Sequence, residues 1–145
     1  MHKYIKDLAY VIRHGKMDNT YKMAWIRAIV ENCVFQPTEK QIHFDQLSLR
    51  IFGYYWNQTV YFDLQQSSNS KKKPKIYQLV ADVIQDYRAV HGSEPIWFSK
   101  IEHQIPVPLK RISTVLGQHV SRLFPKVGEE KFVFYDLDRS DRLIW

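Results

Sequence analysis

The segment that decides the fold is PLKRISTVLGQHVSRL, residues 108–123, taken with KFVFYD at 131–136 and RLIW at 142–145. In the first, Leu109, Ile112, Leu116, Val120 and Leu123 recur at helical spacing, and Pro108 suits the first position of the helix. The opposite face carries Lys110, Arg111, Ser113, Thr114, Gln118, Ser121 and Arg122. No Asp or Glu occurs from Gln104 through Lys126. The second segment alternates apolar and polar, Asp138 to Asp141 reads as a turn, and the third returns as a strand, so a β-hairpin is expected.

A basic helix followed by a hairpin is the order of recognition helix and wing in winged-helix proteins. The polar face holds the donors and acceptors that reach base edges and phosphates in a major groove. The same pattern also fits a solvated amphipathic helix.

Outward from this segment, helical periodicity recurs four times. Tyr4, Ile5, Leu8, Val11 and Ile12 give a helix over 3–14, with Gly15 as its C′ residue. Met23, Ala24, Ile26, Ile29, Val30 and Cys33 give a second, capped by Asn19 or Thr20 and ended by Pro37. QIHF at 41–44 reads as a short strand. Asp45 then caps a third helix, with Phe44 as a hydrophobic staple, running through Tyr54, Tyr55 and Trp56 toward Phe62. Ile76, Leu79, Val80, Val83, Ile84 and Tyr87 give a fourth over 75–90, stopped by Gly92. A single helical turn capped by Ser99 is expected over 99–104. The fold class is therefore mainly α with a small β part (α+β), a winged-helix-like helical domain with a C-terminal β-hairpin.

Composition sets the bounds. The chain has 145 residues, 45% hydrophobic and 25% charged, with Lys plus Arg 21 against Asp plus Glu 15 and a net charge of +6. That describes one folded domain, 1–145. The polar loop QQSSNSKKKPK at 65–75 divides it into two lobes, 1–64 and 75–145. One cysteine, Cys33, excludes an internal disulfide. No run is long enough for a membrane span and the N-terminus lacks a signal-peptide core, so a cytoplasmic protein is expected. The basic surplus fits nucleic acid, an anionic surface or an acidic protein.

Few residues suggest catalysis. The six histidines are scattered, with no pair at metal-binding helical spacing, and Cys33 has no neighbouring histidine. No Gly-rich phosphate loop is present. No cofactor, metal or catalytic residue is expected. Lys71, Lys72, Lys73 and Lys75 can sit beside phosphates as a cationic arm. Asn19, Thr20, Tyr21 and Lys22 open a helix whose free N–H groups could hold one phosphate, although plain capping explains the first two.

Three pieces carry a family resemblance. DNTYKMAW at 18–25 resembles the NTYK-x-A segment near the start of many bacterial HNH endonucleases of restriction type. FGYYWNQ at 52–58 resembles the Y-Y-W-x-Q that follows it, and Pro74-Lys75-Ile76 resembles the P-x-I that opens the next helix. The resemblance covers residues 1–90 well and the rest loosely. In that family this region precedes the nuclease module and serves DNA binding or target recognition. No His-Asn-His pattern occurs in the chain, so the resemblance implies a recognition region without its catalyst, linked to a nuclease module in a longer parent. It also implies roles for Asn19, Thr20, Tyr21, Lys22, Tyr55, Trp56 and Gln58.

The expected function is thus double-stranded DNA binding, with no membrane role and with a homodimer left open. The expected contacts are Lys110, Arg111, Ser113, Thr114, Gln118 and Arg122, with the lysine loop and residues 19–22 on the backbone. Two alternatives stand beside it: a protein–protein module anchored on Tyr54–Trp56, and a small metal-dependent nuclease using Glu129, Lys131 and Asp136.

Overall fold

The computed structural model describes residues 2–15, 20–62, 74–122, 124–138 and 142–144. Asn19 and the lysines at 71–73 lie outside them. Among the described residues five α-helices occur, α1 (Lys3–His14), α2 (Tyr21–Phe35), α3 (Phe44–Phe62), α4 (Lys75–His91) and α5 (Leu109–His119), with five short strands. The strands are β1 (Gln41–His43), β2 (Lys126–Val127), β3 (Glu130–Lys131), β4 (Asp136–Asp138) and β5 (Arg142–Ile144). The protein is mainly α with a small antiparallel β part, as the periodicities predict. No described helix is long and apolar enough to cross a membrane.

Helix α3 is the hub. It packs against α2, α4 and α5, and it is apolar on several sides, burying Leu47, Ile51, Phe52, Tyr55 and Trp56. Gly53 is required there: a Cβ would stand 2.7 Å from Cδ1 of Phe98. The connector after α4 is sewn to the same helix, with Trp56 Nε1 donating to Ile96 O (2.9 Å) and Phe98 N to Asn57 Oδ1 (2.9 Å). Its helical turn is two 3-10 turns, Phe98–Lys100 and Glu102–Gln104, and Ser99 caps neither. One apolar core takes side chains from α1 through β5.

Strands β1, β5 and β4 form a three-stranded sheet in that order, with Gln41 opposite Ile144 and Asp136 opposite Ile144 on the other side. An antiparallel pair with the expected returning strand is therefore present as β4–β5. Its first strand is displaced from the expected one, sharing only Asp136 with KFVFYD and taking in Asp138, which was expected in the turn. Lys131 belongs to a separate hairpin with β2, turned at Gly128 (φ 59°). Between the two hairpins the alternation is real but has no ladder. Phe134 is buried, Phe132 is half-buried and Val133 is exposed, while Phe132 and Phe134 pack on Tyr10 and Tyr4 of α1. Alternation reports a face; a strand also needs a neighbour to bond to.

Several caps differ from expectation. The hydroxyl of Thr20 lies 2.8 Å from that of Tyr55 and makes no capping bond to α2. His43, not Asp45, caps α3: its Nδ1 accepts from Asp45 N (3.1 Å), and Gln46 Oε1 accepts from His43 N (2.9 Å). This is a capping box with imidazole in the place of the usual hydroxyl. Gly15 caps α1 at φ −68°, so its left-handed freedom is unused. Pro108 is the N-cap of α5 rather than its first residue, and α5 ends at His119 instead of 123. Gly92 does stop α4, at φ 88°.

Candidate functional site

The exposed face of α5 opens onto a cleft of about 820 Å³. Three elements wall it: α5, the start of α3 at His43–Asp45, and β4 through Leu137 and Asp138. Each position follows from burial. Ile112, Val115 and Leu116 turn into the core, which at 3.6 residues per turn sends Lys110, Thr114 and Gln118 outward. Lys110, Ser113, Thr114, Gln118 and Arg122 all line the cleft, and Arg111 is exposed but outside its lining.

The hydrogen bonds divide these residues sharply. Ser113 Oγ donates to Asp45 Oδ1 (3.2 Å) and lies 2.8 Å from the hydroxyl of fully buried Ser48. It is a bolt between α5 and α3 rather than an open donor. The Thr114 hydroxyl turns back to Lys110 O (2.9 Å). Gln118 makes no hydrogen bond, and Lys110, Arg111 and Arg122 make no ion pair, with the described residues.

The end of α5 is anchored from the far side. The Tyr135 hydroxyl donates to Ser121 O (2.7 Å) and accepts from Trp25 Nε1 (3.1 Å). Burial pushes the Tyr135 phenol up, so it stays a neutral donor. The turn that carries Arg122 is thus tied to the second turn of α2.

The absence of acid between Gln104 and Lys126 does not survive folding as an acid-free site. Asp45 arrives from α3 and Asp138 from β4, so two carboxylates share the cleft lining with Lys110 and Arg122 without forming an ion pair with either. These acids, with His43, are the members that sequence reasoning missed. The cap motif placed Asp45 at a helix start, but no sequence signal places that start beside α5.

The residues at the opening of α2 serve the fold. Tyr21 is 6% exposed, and its hydroxyl accepts from Ile76 N (2.7 Å), the second residue of α4. Burial pushes its phenol up to about 12, against a smaller downward pull from that bond. Lys22 is partly buried near Gly15. Lys75 is exposed at the start of α4, and the lysines at 71–73 and Asn19 lie outside the described residues. Tyr55 and Trp56 are core residues, which removes them as an apolar anchor. Tyr54 is half-buried, with its hydroxyl on Glu31 Oε2 (2.6 Å) and its ring under Arg27. Glu129, Lys131 and Asp136 are exposed, and among the described residues no three His, Cys, Asp or Glu side chains converge as a metal site.

Comparison of the chain with known protein families, curated proteins and solved structures finds no match in any of the three.

Proposed function

We propose that this chain is a duplex-DNA-binding domain of winged-helix-like build, with α5 entering the major groove and the β4–β5 hairpin beside it as the wing. The observation that carries this reading is the uncommitted polar face of α5. Lys110, Arg111 and Gln118 on α5 and Arg122 in the turn after it have no side-chain partner among the described residues, and the helix is bolted at its middle by Ser113 and just past its end at Ser121. Unpaired surface cations on a rigid element suit phosphate contacts, and a helix is the element that fits a major groove. The order of the elements supports the same reading: α5 precedes a hairpin whose returning strand pairs with β1. The resemblance at 18–25, 52–58 and 74–76 supports a role as the non-catalytic recognition part of an HNH-type restriction endonuclease.

The test is fluorescence anisotropy of a short labelled duplex titrated at several salt concentrations. Three phosphate contacts by Lys110, Arg111 and Arg122 give log affinity falling against log salt with a slope of about −2.7, at about −0.9 per phosphate. Replacing all three by Ala should flatten that slope and weaken every sequence alike. Wild-type protein that fails to bind duplex even at low salt would overturn the proposal.

A further inference from the structure

We infer that the outward face of α2 is an interface between two copies of this chain, paired antiparallel about a two-fold axis. The inference does not rest on the DNA-binding reading, because no residue of that face lines the cleft beside α5.

A helix on the surface of a folded protein ordinarily turns polar residues to water. Helix α4 does so, with Lys75, Gln78, Asp82, Gln85 and Asp86 exposed. Helix α2 does not. Its inner side is Tyr21, Ala24, Trp25, Ala28 and Asn32, all buried. Its outward line is Met23, Arg27, Val30 and Val34. The three apolar members are 46%, 50% and 68% exposed. One exposed valine is ordinary, but an outward line with a single polar member is an apolar patch that needs a cover.

The spacing identifies that cover as another helix. Positions 23, 27, 30 and 34 are separated by four, three and four residues, the a/d seam of a helix that packs along a second one. The seam is apolar at both ends, so it can face a copy of itself. Turned about a two-fold axis between residues 28 and 29, it sets Met23 against the partner's Val34 and Arg27 against the partner's Val30. This is an isologous contact, in which each layer occurs twice.

Charge fixes the direction. Arg27 is the one charged residue of the line, and a polar residue at a single seam position selects register and orientation. A parallel pair would set Arg27 against the partner's Arg27, two like charges in contact. The antiparallel pair sets it one residue from the partner's Glu31. Arg27 bonds its own Glu31 through Nε (2.8 Å), and its Nη groups make no hydrogen bond among the described residues. Glu31 Oε1 accepts from Arg27 alone, while Oε2 takes Tyr54 and Arg50. Each arginine can thus hold its own carboxylate and reach the partner's with the unused half of its fork.

The experiment is the solution mass, by sedimentation across a concentration series, of wild type, Met23→Glu, Val34→Lys and an equimolar mixture of the two variants. Melting curves show that these exposed substitutions leave the chain folded. Wild type should move from 17.4 kDa toward twice that mass as concentration rises. Each variant alone sets an unpaired charge against an apolar side chain at both ends of the seam, and should raise the dissociation constant on the order of 100-fold. In the mixture, one end brings the two introduced charges together and the other keeps Met23 against Val34, so the dimer should return. Recovery on mixing requires the antiparallel register; neither a parallel pair nor damage to either variant produces it. Wild type that keeps the mass of one chain at every soluble concentration overturns the inference. So do variants that dimerise like wild type, and variants that dissociate without recovery on mixing.

Discussion

Two basic regions of this protein look alike in the sequence and behave oppositely in the structure. Between α2 and α3, Arg27 donates to Glu31 (2.8 Å), Arg50 reaches the same carboxylate (3.4 Å), and the Tyr54 hydroxyl closes the set at 2.6 Å. Arg27 also covers the Tyr54 ring, 4.1 Å from its centroid. Every charge there has a use within the fold. On α5 and the turn that follows it, Lys110, Arg111 and Arg122 have no such partner among the described residues, and the structure spends its bonds on holding the helix beneath them. Composition counts the two sets of cations equally. What separates them is whether a carboxylate is brought within reach, and a cation left unpaired on a bolted helix is the one free to meet a ligand.

The sharpest way to break this contrast is to remove the anchor shared by both regions. Trp25 is fully buried on α2, edge-on to Phe44 of the cleft and bonded to Tyr135, which holds Ser121. Trp25→Ala should cost about 3–5 kcal/mol of stability, as large aromatic truncations in cores do. Chemical denaturation measures it. A loss under 1 kcal/mol, on the order of a surface change, would mean that Trp25 does not connect the packed half to the cleft.

Next comes Tyr21, which belongs to the segment that resembles a family motif. If its hydroxyl serves the start of α4, Tyr21→Phe leaves the Ile76 N–H buried and unpaired, at a cost of about 1–3 kcal/mol. DNA affinity, measured on protein that remains folded, should be unchanged. Weaker DNA binding with unaltered stability would return Tyr21 to the interface.

Tyr21 also shows where sequence reading stops. Helix periodicity located all five helices, because each must bury one face and burial writes a pattern along the chain. Of the hairpin only the returning strand was legible in place; the alternation at 131–136 reported a buried face, and the first strand ends two residues further on. Caps were not, since Thr20 and His43 choose between local bonds and distant ones that exist only after folding. Of the cleft, the α5 half was legible as a polar face. Asp45, Asp138 and His43 were not, because the loops that bring them there carry no mark of their destination. Nor did anything in the sequence separate Ser113, which is bolted, from Gln118, which is not.

A smaller effect tests the self-paired region by pH. Burial pulls the Glu31 carboxyl upward, but the bonds from Tyr54 and Arg27, with the charges of Arg27 and Arg50, outweigh it and hold it below its ordinary value. A carboxyl depressed in the folded state stabilises the protein above its unfolded pKa and stops doing so as pH falls through the folded one. Melting temperature should therefore drop as pH is lowered through the carboxylate range. Glu31→Gln should lose about 1 kcal/mol at neutral pH and show a shallower drop. Parallel pH profiles for the two proteins would mean that the arginines on this face are as uncommitted as those on α5.

The smallest expected change in stability has the opposite sign. Gly117→Ala fits the space available, with its new methyl in ordinary contact with Phe44, and removes a helix-weakening residue near the end of α5. The protein should become more stable by about 0.5 kcal/mol. If Gly117 is there for the fold, that substitution improves the protein and leaves DNA binding intact. If it is there to let a duplex approach the α5 face, the same methyl should weaken binding severalfold while the melting temperature rises. Stability and affinity moving in opposite directions is a signature that damage to the fold cannot produce. Their moving together, or affinity staying still, would place Gly117 with the self-satisfied half of the molecule and leave the cleft wall without a role in approach.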